Sequence, residues 1–283
     1  MNNPIVLKIL ENIANDQPGQ RIAFPTLLDI AFKIRALLKE GEPDMERLAR
    51  LVGAEPLIST QIVRMANSVA MNPMGRRISD VKNAILRVGT HAVRSAAFAI
   101  AMKQMVMGKG MVPFRKISRH LWEHSAYTAA FSKALVRHYC QHGIDNDEAM
   151  FMGLIHDIGA FYLLYCATQY PELAENPAEV ETLMETWHGS ISHALLSAMG
   201  LSDTILEAVQ EHDQEERDFT TIETLSEVLY TANHLANVIA PWRPRPSAMK
   251  GDFLDRMFDA DTIQVLLGEA EDEINSLKDI ISS

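Results

Sequence analysis

Five segments in the second half of the chain each place polar residues of metal-ligand type in an apolar setting. They carry His124, His156 with Asp157, His188, His212 and Asn233, at steps of 32, 32, 24 and 21 residues. Imidazole and carboxylate are the commonest ligands for a divalent ion that activates water. Such an ion polarises a phosphoryl oxygen and lowers the pKa of a bound water, giving a nucleophile near neutral pH. The adjacent pair is the sharpest signal. His156-Asp157 ends the apolar run Met150-Phe151-Met152-Gly153-Leu154-Ile155, where an unpaired charge is costly to bury. The competing explanation is a capped helix end, with Asp157 on nearby main chain and His156 on a carbonyl. Ten histidines in the chain also make equal steps easy to meet by chance.

Placing these residues around one centre needs separate helices, and the pattern supplies them. Leu27, Ile30, Ala31, Ile34, Leu37 and Leu38 recur at three- and four-residue steps, predicting a helix over 26–38 capped by Thr26 after Pro25 and stopped by Gly41 and Pro43. Asp44 caps a short helix (Leu48, Leu51, Val52 inward) that Gly53 closes. A third covers 57–67 with Ile58, Ile62 and Met65 on one face, followed by a polar turn from Asn67 to Arg77. Ser79 caps a fourth, Gly89 ends it, and Thr90 starts a fifth running to about 107. Gly108–Pro113 reads as a linker. Further helices are expected over about 116–141, from Asn146 or Asp147 through the His-Asp pair, and over 178–188, 190–199, 202–212 and 221–240. Pro241-Trp242-Arg243-Pro244-Arg245-Pro246 excludes helix and marks a second linker. A helical tail follows over about 252–279. No sustained period-two pattern occurs, so the fold class is all-α, globular and multi-helical, with an N-terminal helical subdomain.

Composition narrows the function classes. The 283 residues are 47 % hydrophobic and 22 % charged, as in ordinary globular proteins. The N-terminus lacks the layout of a signal peptide, and the longest uncharged apolar stretch, read near Ser95–Met102, is too short to span a bilayer. Cys140 and Cys166 show no paired spacing and read as reduced core thiols, which points to the cytoplasm and away from the membrane. A net charge of −11 disfavours a non-specific grip on nucleic acid. Arg76, Arg77, Lys82, Arg87 and Arg94 are the best place to look for any local basic patch.

Leu121-Trp122-Glu123-His124-Ser125 followed by Gly153-Leu154-Ile155-His156-Asp157-Ile158-Gly159 resembles the HD superfamily of metal-dependent phosphohydrolases. Phe24-Pro25, then Leu57 to Ser68 with its Ala66-Asn67-Ser68, then Ile78 to Gly89 with Ala84-Ile85, Arg87 and Gly89, is similar to the HDOD domain, the HD-related output domain of bacterial signalling proteins. The resemblance implies an HDOD domain over 20–215, with lobes at 20–107 and 114–215, and a helical extension over 216–283.

By that resemblance His124, His156 and Asp157 fill the first three metal-ligand positions. His188 and His212 match later positions where histidines are common. The final aspartate of active HD enzymes falls at Asn233, beside Ala232. Cyclic-dinucleotide phosphodiesterases of the superfamily carry a lysine where this chain has Ala160. The departures imply a regulatory module with a weakened site for a divalent metal, acting through a protein partner, or a nucleotide, rather than by turnover. The rival is a metal-dependent phosphohydrolase. A helix-turn-helix DNA binder, read from 44–53 and 57–67, is disfavoured because only Arg64 is basic in the second helix.

Overall fold

The structure, a computed structural model, describes Glu11 and residues 26–39, 44–140, 143–214, 217–242 and 252–282. Among them every regular element is a helix and no strand occurs. The chain forms two compact units, Ala23–Gln104 and a second comprising Met1–Ile22 and Met105–Ser283.

In the first unit, α1 (Thr26–Lys39) buries Leu27, Leu28, Ala31, Ile34 and Leu37. The expected entry at Phe24-Pro25 and stop at Gly41–Pro43 lie outside the described residues, as does the Thr26 side chain. Asp44 caps α2 (Met45–Gly53) by accepting from the N–H groups of Glu46 and Arg47, each at 3.0 Å. α3 (Pro56–Ala66) opens on a proline, whose fixed φ suits a first helical turn. α4 (Val81–Val88) is capped by Asp80 rather than Ser79. The helix begins one residue later than the periodicity suggests, and the Asp80 carboxylate accepts from the Asn83 N–H at 2.9 Å. Gly89 closes it at a φ of 85°, a value that disfavours a side chain. α5 (Thr90–Met107) completes the unit with its residues up to Gln104, and Phe98 lies edge-on to Phe32 at 4.6 Å.

The motif residues of this unit pin a loop. Asn67 donates from Nδ2 to the carbonyls of Val63 (2.9 Å) and Ile78 (2.7 Å), and its Oδ1 accepts from the Ile78 N–H (2.9 Å). Arg87 donates to the carbonyls of Ala66 (3.2 Å) and Arg76 (3.0 Å). One amide and one guanidinium thus close residues 67–78 into a hydrogen-bonded Ω-like excursion between α3 and α4.

In the second unit, residues Lys109–Phe114, expected as a linker, form a 3-10 turn that buries Met111 and Phe114. Then come α6 (Arg115–Tyr139), α7 (Asn146–Ile155), α8 (Ile158–Ala167), α9 (Pro171–Ala174), α10 (Pro177–Ala198), α11 (Asp203–Glu211), α12 (Leu225–Ile239), α13 (Asp252–Met257) and α14 (Ala260–Ser282). α10 is continuous where two helices were expected. Gly189 sits inside it, and one interior glycine costs only about 1 kcal/mol, too little to break a helix packed on both sides of it. α12 begins at Leu225 because Thr224 and Glu227 form a reciprocal capping box. Most of the second proline-rich segment, residues 243–250, lies outside the described residues.

α6 is the spine of this unit, packed by α7, α12 and α14. Phe131 and Leu135 of α6, Val228 and Leu235 of α12, and Leu266 and Ile274 of α14 share one core. Lys133 on α6 pairs with Glu273, and His138 with Glu269 at 2.6 Å. The longest apolar run is 146–167 rather than 95–102. It has the length and hydropathy of a membrane span, but 83 % of that window is buried inside the protein and the helix breaks at His156-Asp157.

Replacing Asn67 by alanine removes three hydrogen bonds and leaves the buried-side main chain of Ile78 unsatisfied. Thermal unfolding of Asn67→Ala should report a loss of about 1–3 kcal/mol. Unchanged stability would show that the loop is held by other contacts.

Candidate metal centre

His156 and His212 occupy equivalent places, each the residue that caps the end of a helix, α7 and α11 respectively. Carbonyls in a last helical turn lack main-chain donors. Here imidazoles supply them: His156 Nδ1 to Gly153 O at 2.8 Å and His212 Nδ1 to Val209 O at 2.5 Å. His188, inside α10, donates from Nδ1 to the mid-helix carbonyl of Met184 at 2.9 Å, and His124 Nδ1 stands 3.3 Å from Ala240 O. A carbonyl only accepts, so Nδ1 carries the proton and Nε2 is turned to the centre.

Asp157 follows His156 and opens α8. It makes no side-chain cap bond, and its carboxylate faces the imidazoles instead. Oδ2 lies 3.2 Å from His156 Nε2 and 3.8 Å from His124 Nε2; Oδ1 lies 3.4 Å from His212 Nε2 and 3.6 Å from His188 Nε2. Ligands of one ion, bonded at ~2.0–2.2 Å, stand about 3–3.6 Å apart. Two sets bring their ligand-type atoms within 4.8 Å of one another, His124–His156–Asp157 and Asp157–His188–His212, with Asp157 common to both. All five residues are at most 4 % exposed.

Two glycines make the convergence sterically feasible. A Cβ on Gly153 would lie 2.7 Å from Ala129 Cα on α6, and one on Gly159 would lie 2.2 Å from His188 O and 2.5 Å from Ser192 N on α10. The backbone on either side of His156-Asp157 thus touches the helices that carry His124 and His188. Ser192 secures the second approach, its Oγ accepting from the Gly159 N–H at 2.8 Å.

The electrostatics describe a site for cations. An Nε2 without a proton and a carboxylate oxygen are both acceptors, and here such atoms face one another in a buried space. His156 Nε2 and Asp157 Oδ1 have no hydrogen-bond partner. Burial disfavours the Asp157 carboxylate, but His156, His212 and His188 outweigh it and hold its pKa well below the usual range. Burial likewise opposes charge on His212, yet Asp213 and Asp157 raise it to about 9. The donor set of imidazoles and a carboxylate fits a divalent ion.

Asn233 is buried behind the cluster. Its Nδ2 donates to His212 O and to Asp213 Oδ1, both at 3.1 Å, while its Oδ1 accepts from Asn237 Nδ2 at 3.2 Å. The two facing atoms are acceptors, so the amide presents N–H to them. Asp213 is the residue that sequence reasoning missed. Its Oδ2 lies 2.6 Å from His188 Nε2 and 3.6 Å from His212 Nε2. The signal was present: His212-Asp213 repeats the His156-Asp157 adjacency. Trp242 was also missed; its indole lies edge-on to the His188 ring at 5.6 Å.

The sequence profile of the HDOD domain matches residues 24–215. Similar solved structures share this fold at low identity. A protein from Shewanella amazonensis SB2B, described provisionally as a metal-dependent phosphohydrolase, is 20 % identical with a TM-score of 0.68, covering 98 % of this chain and 99 % of that one. An HDOD domain protein of unknown function from Geobacter sulfurreducens is 20 % identical with a TM-score of 0.64, covering 97 % of each chain. A protein from Marinobacter aquaeolei VT8, described provisionally as acting in signal transduction, is 18 % identical with a TM-score of 0.62, covering 98 % of this chain and 66 % of that one. No curated protein matches the sequence.

Gly159→Ala should push α8 from α10, destabilising the protein by roughly 1–3 kcal/mol or more and weakening metal uptake; an unaltered melting temperature would disprove the close approach. A second expectation concerns pH. The folded pKa of His212 lies above its unfolded value of about 6.5. Its stabilising contribution is therefore complete below that value and lost as pH rises through about 9. Chelator-treated protein should lose melting temperature across this window, and His212→Gln should flatten the loss. An equal slope in the variant would contradict the assignment.

Proposed function

The chain belongs to the HDOD family, and from that premise we propose that it is a regulatory signalling module of the bacterial cytoplasm. It holds a divalent ion in a closed cluster and acts by binding a protein partner rather than by turnover. The observation that carries this reading is closure. Every ligand-type side chain named above in the two sets is buried, and Ala240 and Trp242 lie against His124 and His188. A cleft of about 400 Å³ is lined by Phe114, Lys116, His120, Glu185 and Trp242, but the indole of Trp242 forms its wall on the side of His188. A phosphodiester needs an open coordination position, which catalytic sites keep and structural ones do not.

The residue after the His-Asp-Ile-Gly run argues the same way. Ala160 is fully buried and offers no charge to a developing phosphorane. Absence of one such donor costs on the order of 3 kcal/mol, about a hundredfold in rate. A bound ion would supply charge and polarisation; the chain's own contribution is to fix four imidazoles by their Nδ1–H bonds and to exclude water. A nucleotide is the alternative ligand for the module.

The rival reading, a phosphohydrolase, is favoured by one feature: both oxygens of Asp157 are shared between two ligand sets, the arrangement of a two-ion centre. The test loads the protein with Mn²⁺, Fe²⁺ or Zn²⁺ and offers bis(p-nitrophenyl) phosphate and cyclic dinucleotides. No hydrolysis above the metal-only control is expected. A rate that vanishes in His156→Ala and in Asp157→Ala would replace the regulatory reading with the enzymatic one.

A further inference from the structure

We propose that Asp213 is a direct metal ligand and supplies the second carboxylate of the cluster, the role that Asn233 does not fill. This rests on the metal-binding reading above and adds a ligand to it. Four donor atoms, Asp157 Oδ1, His188 Nε2, His212 Nε2 and Asp213 Oδ2, are linked by separations of 3.6, 3.4, 2.6 and 3.6 Å. Three of these are already the edge lengths of a coordination polyhedron. The fourth, the His188–Asp213 hydrogen bond, lengthens slightly when an ion takes its place.

Charge supports the assignment. Two carboxylates and two neutral imidazoles balance a divalent ion, whereas His124, His156 and Asp157 offer one carboxylate that is shared. The set containing Asp213 is therefore the tighter of the two. Its mixed nitrogen and oxygen donors suit first-row ions such as Co²⁺, Mn²⁺, Fe²⁺ and Zn²⁺.

Asn233 positions this ligand. Its Nδ2 holds Asp213 Oδ1 at 3.1 Å and the carbonyl of His212 at the same distance. Both ends of the His212-Asp213 pair are thereby fixed, and Oδ2 is left toward His188 and His212. A carboxylate at 233 would face two acceptors. The amide at 233 and the aspartate at 213 thus complement each other as one hydrogen-bonded pair.

The experiment titrates chelator-treated protein with Co²⁺ and follows the visible absorption. Wild type should bind, and Asp213→Asn, which keeps the shape and an acceptor for His188, should bind at least tenfold more weakly with an altered d–d spectrum. Asp213→Cys reads direct contact: a thiolate in the coordination sphere produces a near-ultraviolet charge-transfer band, and a merely positioning residue does not. Asn233→Asp should not tighten binding. Circular dichroism and melting curves show that each variant is folded, and Asp213→Asn, being nearly isosteric, carries the test if the cysteine variant is not. Binding by wild type with Asp213→Asn within threefold of it, no charge-transfer band in folded Asp213→Cys, or a gain in Asn233→Asp overturns the assignment while leaving the metal reading intact. Failure of wild type to take up Co²⁺ overturns both.

Discussion

The centre of the second unit is a meeting of acceptors. Four imidazoles donate Nδ1–H outward to main-chain carbonyls, so their Nε2 atoms face the carboxylates of Asp157 and Asp213. Acceptors crowded in a buried space repel unless positive charge lies among them. A divalent ion is the positive charge proposed to serve that purpose. Much of the surrounding architecture follows from keeping this arrangement in place. α7 and α11 both end at the cluster, which aims the negative ends of two helices at a place where cations are wanted. α8 begins there, with the carboxylate of Asp157 at its N-cap, the charge that a helix N-terminus favours.

Holding the arrangement requires close backbone packing on both sides of His156-Asp157. Gly153 lets α7 touch α6, and Gly159 lets α8 touch α10. These glycines are not present for turns, since neither has a positive φ. They are the places where a single methyl group would separate the helices that carry the ligands. The apolar character of 146–167 has the same origin. Helices pressed against neighbours on several faces have no side to expose, and a span that resembles a membrane segment in composition is the interior of a bundle.

The first unit uses its polar motif residues differently. Asn67 and Arg87 satisfy carbonyls and N–H groups of a loop that has no regular structure of its own. They specify a backbone shape, and no metal-ligand geometry within the unit attaches to them. Residues picked out by one family resemblance thus divide into those that position chemistry and those that position main chain.

The sequence by itself determined the helical class, most of the helix ends, and His124, His156, Asp157, His188 and His212 as a set, because period, caps and residue type are local properties. Through the family resemblance it also pointed to Asn233 as the place of the final aspartate of the HD pattern. It did not reveal Asp213, since adjacency to His212 looks like one more charge in the run Glu211-His212-Asp213 until α10 is known to bring His188 within 2.6 Å of it. Helix continuity through Gly189 was likewise a tertiary decision: packing along the helix outweighs a local propensity of about 1 kcal/mol. The same holds for the direction of the Asn233 amide, which no spacing encodes. It is set by the two acceptors, His212 O and Asp213 Oδ1, that the fold brings to it. Local rules name the groups; only the assembled helices decide which lone pairs face each other, because that depends on distances between segments far apart in the chain.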